Sequence, residues 1–322
     1  MSSLPNRRDC LFGLAAGAGV LAAGSTAART ARAAEQAASP ESRPIVYCLN
    51  TSTIRHESLK LVDRIEIAAK AGYGAVEPWI REIDEYMQGG GKLADLDKRI
   101  RDLGLTVESA IGFAAWIVDD EAERKAGLET AKRDMDLLAQ IGGKRIAAPP
   151  VNATKERMTN FDAIAERYRA LLEVGDQTGV TPQIEVWGFS QTFSKLSECL
   201  YVAVAADHPK ACVLADIYHL YKGGNDFDSL RFVSGAAMHN FHMNDYPDIP
   251  RDKIGDADRV YCGDGVAPVP QILQTLFANG FSGSLSLELF NPNYWKQDPL
   301  AVATRGLESM KASVEAATKL KA

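Results

Sequence analysis

The sequence predicts an α/β protein built as one (β/α)8 TIM barrel, a single domain behind an N-terminal export signal. Three observations carry this. Eight short apolar runs of strand length recur between residues 45 and 289, and amphipathic segments of helical period lie between them. No GxGxxG follows the first run, where Cys48-Leu49-Asn50-Thr51 lacks glycine, so the competing doubly wound nucleotide-binding sheet loses its signature. The 322 residues are 46% hydrophobic and 24% charged, which excludes disordered and collagen-like chains. No repeat, Pro-rich linker or composition step divides the chain, and the length suits one barrel.

Taken in order, the chain opens with Asn6-Arg7-Arg8-Asp9-Cys10-Leu11, two adjacent arginines before a weakly apolar Ala/Gly-rich run from Leu11 to Ala28. Arg29 and Arg32 bound the run, and Ala31-Arg32-Ala33 fits a small-x-small cleavage site. A charged start, a short apolar stretch and such a site read as an export signal, and the paired arginines favour the twin-arginine route. The run is too poor in Leu, Ile and Phe to serve as a membrane anchor. The expected division is a signal over 1–33, a linker over 34–43 and the barrel over 44–322, with a periplasmic or secreted location. Twin-arginine export carries folded cargo, which suits a protein loaded with a cofactor before it leaves the cytoplasm.

The expected strands are Ile45–Asn50, Ala75–Trp79, Thr106–Ile111, Arg145–Pro149, Gln183–Trp187, Cys212–Ile217, Asn240–Met243 and Ser284–Leu289. Between them, Leu59–Ala71, Ala122–Ile141, Asp162–Thr178 and Pro268–Asn279 have helical periodicity and end near glycines, as helix C-termini do; eight helices complete the pattern. Cys48, Cys199, Cys212 and Cys262 remain after cleavage. Without close pairs or CxxC spacing they read as separate apolar fillers. The net charge of −6 becomes more acidic once the leader's arginines are gone, which argues against a nucleic-acid partner.

In a barrel, chemistry gathers where strands end at the C-terminal face. Polar residues interrupt the apolar runs there: Glu77, Glu185, Asp216, His242 and Glu288. Burying carboxylates and an imidazole together is costly unless they are paired or bind a cation. Glu185, Asp216, His242 and Glu288, from four consecutive strands, offer three anionic oxygens and one nitrogen, a donor set for one divalent metal. Mn2+ is the first choice, with Mg2+, Co2+ and Zn2+ as alternatives.

With these residues in place, the chain resembles the xylose isomerase-like TIM barrel superfamily of sugar phosphate isomerases and epimerases, with ketose 3-epimerases and inosose dehydratases among its members. The resemblance covers most of residues 44–318. It implies that Glu185, Asp216, His242 and Glu288 bind one metal. It also implies that His219 of Asp216-Ile217-Tyr218-His219 meets substrate oxygens, and that Arg259 of Arg259-Val260-Tyr261-Cys262-Gly263 touches the substrate oxygen on the metal. One departure stands out: Gly188-Phe189-Ser190-Gln191-Thr192 lacks the carboxylate that ketose 3-epimerases carry after strand five.

The expected chemistry is an enediolate reaction in which the metal polarises a carbonyl, and Glu185 and Glu288 remove and return the neighbouring proton. His219 and Arg259 then donate to the oxyanion, an interaction whose loss costs about 3 kcal/mol. Glu77 is a candidate partner for substrate hydroxyls. Trp187, with Trp79, Trp116 and Phe113, either walls off the sugar or packs in the core. His56 is either a substrate contact or an exposed loop residue; His208 reads as surface and His239 as structural. Lys222-Gly223-Gly224 has no neighbouring cation in sequence, so no phosphate site is expected. The charged stretch Asp245–Asp258 reads as a lid or a dimer contact. The reading is a metal-dependent isomerase or epimerase acting on an unphosphorylated keto-sugar or related polyol. The alternatives are a lyase or dehydratase acting on a keto-sugar, keto-glycoside or inosose, and a non-catalytic sugar-binding barrel. The partner is a small carbohydrate, with no stable membrane association; self-association as a homo-oligomer is left open.

Overall fold

A computed structural model describes residues 45–56 and 58–320, so the proposed leader and linker lie outside the described residues. The strands are β1 (Val46–Asn50), β2 (Ala75–Glu77), β3 (Thr106–Val107), β4 (Arg145–Ala148), β5 (Thr181–Glu185), β6 (Val213–Asp216), β7 (Asn240–Met243) and β8 (Ser284–Leu287). All pairings are parallel, in the order β3-β2-β1-β8-β7-β6-β5-β4. First and last strands pair directly, from Val46 opposite Ser284 to Leu49 opposite Leu287. Two backbone bonds link the remaining edges: Ala110 N–H donates to Arg145 O at 3.0 Å, and Ala147 N–H donates to Ala110 O at 2.9 Å. The sheet therefore closes as the sequence predicts.

The helices are α1 (Leu61–Ala71), α2 (Ile80–Gln88), α3 (Leu93–Asp102), α4 (Glu121–Ala139), α5 (Phe161–Thr178), α6 (Leu196–Ala205), α7 (Ile217–Lys222), α8 (Val269–Ala278) and α9 (Pro299–Lys319). That is nine among the described residues rather than eight, because two short helices fill the crossover from β2 to β3. Leu93, Leu96 and Ile100 of α3 are buried at helical spacing. Gly72 ends α1 with φ 94°, a left-handed cap that favours glycine. None of the described helices is long and apolar enough to cross a membrane.

Strand five runs two residues earlier than Gln183–Trp187. Pro182 pairs in register with Ile146, although proline normally argues against a strand interior. At the other end, Trp187 N–H donates to Phe193 O at 3.0 Å and turns the chain out of the sheet. Strands two, three and eight also stop short of their expected ends, leaving Trp79, Ile111 and Glu288 just above the sheet. Trp79, Ile111, Ala147 and Leu214 form a small apolar layer inside the barrel. Beside it, a polar chain rises through the interior. Ser284 Oγ donates to Asn240 Oδ1 at 2.6 Å, and Asn240 Nδ2 donates to Glu77 Oε1 at 2.8 Å. The four expected fillers Cys48, Cys199, Cys212 and Cys262 are free and buried.

Candidate active site

The site is assembled at the ends of β6, β7 and β8. Register places Asp216 beside His242, and His242 beside Ser286, two residues before Glu288. Asp216 also caps α7: its Oδ1 accepts the His219 N–H at 2.7 Å, which gives the Asp-x-x-His spacing its local cause. Asp216 Oδ2 accepts from Asn244 Nδ2 at 2.7 Å and from Arg259 Nη1 at 2.9 Å. The same Nη1 donates to Glu288 Oε2 at 2.8 Å, and Arg259 Nη2 donates to Asp256 Oδ1 at 2.7 Å. Arg259 is fully buried with its guanidinium over the Tyr218 ring, 4.4 Å from the centroid.

Asp216, His242 and Glu288 present ligand atoms within 4.8 Å of one another, and all three are buried. His242 Nδ1 is 3.2 Å from Glu288 Oε2, and Nε2 is 3.0 Å from Glu77 Oε2. Yet neither ring nitrogen makes a well-directed hydrogen bond. Glu185, the fourth expected ligand, falls outside this cluster, and its Oε2 is buried with no partner. Buried polar atoms of this kind need a partner. Two carboxylates and an imidazole fit a divalent cation, and the bare Glu185 oxygen stands outside these three. The His242 nitrogens, buried without a directed hydrogen bond, are free for such an ion, while the Asp216 and Glu288 oxygens are held in place by Asn244, Arg259 and Asn50.

The electrostatics separate the two glutamates. Burial pushes the Glu185 carboxyl up to about 8. Burial acts on Glu288 in the same sense, but His242 and then Arg259 outweigh it and hold that carboxyl at about 2. For His242, burial alone would strip the proton. Glu288 and Glu77 overcome it and keep the imidazolium well above its ordinary range. His219 is shifted down by burial and is neutral. Both ring nitrogens face donors, the Gly188 N–H on Nδ1 at 3.3 Å and Arg259 Nη2 on Nε2 at 3.2 Å at the cavity wall, so the neutral ring accepts from one of them and carries its proton on the other nitrogen.

Glu185, Glu288, His219, Arg259 and Trp187 all line one cavity of about 400 Å³. Glu77 does not. It is fully buried beneath the cluster, and its oxygens accept from Asn50, Asn240 and Ser286. The expected contact with substrate hydroxyls is thus replaced by a positioning role under His242. Trp79 and Phe113 line the cavity, whereas Trp116 is core, its Nε1 donating to Pro149 O at 3.0 Å. His56 is an exposed loop residue bonded to Ser58. His239 is partly buried, shifted down to about 4 by burial, and outside the cavity lining. The His208 side chain, expected at the surface, is only 8% exposed and lies 3.1 Å from Asp176.

The glycine pair after Lys222 does have cations near it in space. Lys195 Nζ donates to the Gly223 and Gly224 carbonyls, and Lys222 Nζ donates to Ile254 O. Lys195 and Lys222 are thus engaged by backbone carbonyls, and the Arg251 guanidinium also lies beside Gly224. The Asp245–Asp258 stretch is pinned at both ends: Asp245 and Val260 exchange backbone hydrogen bonds, and Tyr221 stacks on Tyr246 with centroids 4.0 Å apart.

Asn50, Asn244, Phe189, Phe290, Trp295 and Asp256 were not picked out from the sequence. Asn50 donates to both Glu77 Oε2 and Glu288 Oε1, at 2.9 and 3.1 Å. Its signal was available, as a polar residue closing an apolar strand.

Residues 65–313 match the pattern of xylose isomerase-like TIM barrels. Inosose isomerase of Bacillus licheniformis is 26% identical over 260 residues, covering 77% of this chain and 90% of that protein. 3-Dehydroshikimate dehydratase of Pseudomonas putida is 22% identical over 252 residues, covering 78% of this chain and 39% of that protein. Among solved structures, the IOLI protein with a bound zinc atom superposes with a TM-score of 0.78 at 21% identity, covering 86% of this chain and 100% of the other. L-ribulose 3-epimerase gives 0.69 at 18% identity, covering 85% and 96%. From the closed barrel and this match, the chain belongs to the xylose isomerase-like TIM barrel family.

Proposed function

We propose that the protein is a divalent-metal-dependent sugar isomerase or epimerase, working through an enediolate on an unphosphorylated keto-sugar or related polyol. One observation carries the reading: Glu185 and Glu288 face the same cavity, Glu288 as part of the cluster with Asp216 and His242 and Glu185 outside it, with burial raising the proton affinity of Glu185 and His242 and Arg259 lowering that of Glu288. A proton-loaded carboxyl and a proton-free carboxylate around one substrate are an acid and a base. Inosose isomerase and epimerase relatives support an enzyme of this class.

Asp216, His242 and Glu288 would hold a divalent ion, which would supply Lewis-acid polarisation of the substrate carbonyl. Glu288 accepts the proton from the carbon next to the carbonyl, and Glu185 delivers one from the opposite strand. In the tautomer that accepts from the Gly188 N–H, His219 turns an Nε2–H toward the cavity, where it donates to the oxygen on which negative charge grows. Arg259 ties Asp216 to Glu288 through its shared Nη1 and helps to hold Glu288 ionised. Trp79, Phe113 and Trp187 shield the reacting carbon from water. The absence of phosphate from the substrate is supported by Arg259, the cation in the lining, whose Nη1 and Nη2 are already committed to Asp216, Glu288 and Asp256.

A dehydratase shares the first step and then expels a hydroxyl. The protonated Glu185 favours this second reading, since a leaving hydroxyl needs an acid, and the 3-dehydroshikimate dehydratase relatives support it. Proton NMR in D2O with Mn2+-loaded protein and a panel of keto-sugars and inososes separates the two. Deuterium beside the carbonyl with the skeleton intact supports the isomerase, and an enone or diketone product moves the assignment to the dehydratase. No exchange with any of the panel sinks both.

A further inference from the structure

Beside the catalytic cavity lies a second, outer chamber of about 620 Å³, formed over the loop 151–158. The two share a wall of three rings, Phe113, Trp187 and Phe189. The rings run on from the catalytic side: Trp79 to Phe113 is 5.4 Å between centroids, Phe113 to Trp187 6.2 Å, Trp187 to Phe189 5.1 Å, and Phe189 to His219 6.0 Å. Phe113 is 44% exposed and Phe189 47% exposed, so apolar ring surface stands in water at the chamber mouth.

The loops carrying this wall are tied together. Gln191 N–H donates to Thr154 O at 2.9 Å, Met158 N–H donates to Thr192 Oγ1 at 3.0 Å, and Thr192 Oγ1 donates to Glu156 O at 3.1 Å. Phe193, fully buried, closes the β5 loop in the left-handed region at φ 67°, with its N–H donating to Glu198 Oε2 at 3.0 Å. A bulky residue is rare in that conformation, and such strain gathers where a loop must hold one shape. Exposed aromatic faces on a pre-formed concave surface, next to a catalytic cavity, mark a ligand subsite.

The chemistry of that subsite is specific. Ring faces are electron-rich and take the C–H face of a pyranose, while Asn152, Thr154 and Lys155 around the same chamber can meet its hydroxyls. Resting on the isomerase reading above, we propose that the substrate is a glycoside. Its keto-sugar unit enters the inner cavity, and its second sugar ring stacks in the outer chamber on the Phe113–Trp187–Phe189 wall. Binding energy from the second ring then serves to orient the reacting unit, so its removal lowers turnover as well as affinity.

The test compares α-deuterium exchange in D2O for D-fructose with that for its 4-O- and 6-O-glycosides, lactulose and isomaltulose, using the full metal-loaded protein. The expected result is a kcat/KM higher by about tenfold or more for at least one disaccharide. In Phe189→Ala, and in Thr154→Trp, which fills the chamber, the ratio of disaccharide to fructose falls toward one. The wild-type comparison needs no variant to fold. If fructose exchanges and both disaccharides are equal or worse, the glycoside inference is overturned and the isomerase reading stands. If none of the three exchanges, the glycoside inference is overturned, and the isomerase reading is decided separately by the panel of keto-sugars and inososes.

Discussion

Glu77 Oε2 and His242 Nε2 lie 3.0 Å apart at the floor of the site, with both side chains fully buried. Asn50, Asn240 and Ser286 supply the other contacts of Glu77, so its carboxylate is fixed and in turn fixes the imidazole. Partners that orient a ligating histidine are typically worth about 10- to 100-fold in metal affinity. Glu77→Gln preserves shape but removes the charge. It is expected to weaken Mn2+ binding by roughly that factor, measured by calorimetry, with an unchanged circular dichroism spectrum. Unaltered affinity would refute the positioning role.

The two catalytic carboxylates are expected to fail differently. Glu185 lies outside the ligand cluster, so Glu185→Gln should retain most of the bound metal while losing about 100- to 10,000-fold in kcat. Glu288→Gln should lose both, since Glu288 belongs to the cluster and shares Arg259 with Asp216. Metal content by plasma mass spectrometry beside deuterium exchange separates the cases. Full activity in Glu288→Gln would end the two-carboxylate mechanism.

The barrel was legible because buried parallel strands read as short apolar runs and each crossover helix has its own period; β7 matches its expected span to the residue. The misplacement of strand five came from Pro182, whose tolerated place in the sheet depends on neighbours that the local sequence does not reveal. Asp216, His242 and Glu288 stood out as polar breaks in apolar runs. Glu77 stood out in the same way, but strand-end position cannot tell a cavity-facing carboxylate from one directed beneath the metal cluster. Asn50, Asn244 and Phe189 were missed because their roles arise from pairs 27 to 238 residues apart or from a loop's shape. The cations near Gly224 were missed for the same reason.

Metal binding should depend steeply on pH. His242 is held protonated well above its ordinary range, and a ligating nitrogen must give up that proton. Metal and proton therefore compete: affinity rises with pH across the range where His242 stays protonated and falls as pH drops, by about tenfold per unit for one displaced proton. Calorimetry of Mn2+ binding in buffers of different ionisation enthalpy should show release of about one proton or more. Binding without proton release, and flat from pH 6 to 8, would show that His242 is not a ligand.

We also propose export by the twin-arginine route, on the strength of Arg7 and Arg8 ahead of the Ala/Gly-rich run. Expressed in a bacterium, the protein should be recovered outside the cytoplasm with Ala34 as its first residue by mass spectrometry. Replacing both arginines with lysine should leave the full-length chain inside. Processed protein from that double variant would mean another route.

Gly188 joins two loops at a distance that no side chain tolerates. A Cβ there would sit 2.3 Å from His219 O and 2.7 Å from Gly223 N, both backbone atoms that cannot swing aside. The Gly188 N–H also faces His219 Nδ1 and competes there with Arg259 Nη2 on Nε2; accepting from Gly188 puts the ring proton on Nε2, toward the cavity. Gly188→Ala must therefore push the β5 loop away from α7, at a cost of about 1–3 kcal/mol in stability. His219 then loses the contact that favours this tautomer, while Asp216, His242 and Glu288 on their strands stay in place. The expected outcome is a lowered melting temperature and a kcat reduced about 100-fold or more, as for loss of an oxyanion donor, with metal content near wild type. Nitrogen NMR of the His219 ring should show the change of tautomer directly. A variant with wild-type kcat and an unaltered His219 spectrum would mean that the donor to the oxyanion is some other group.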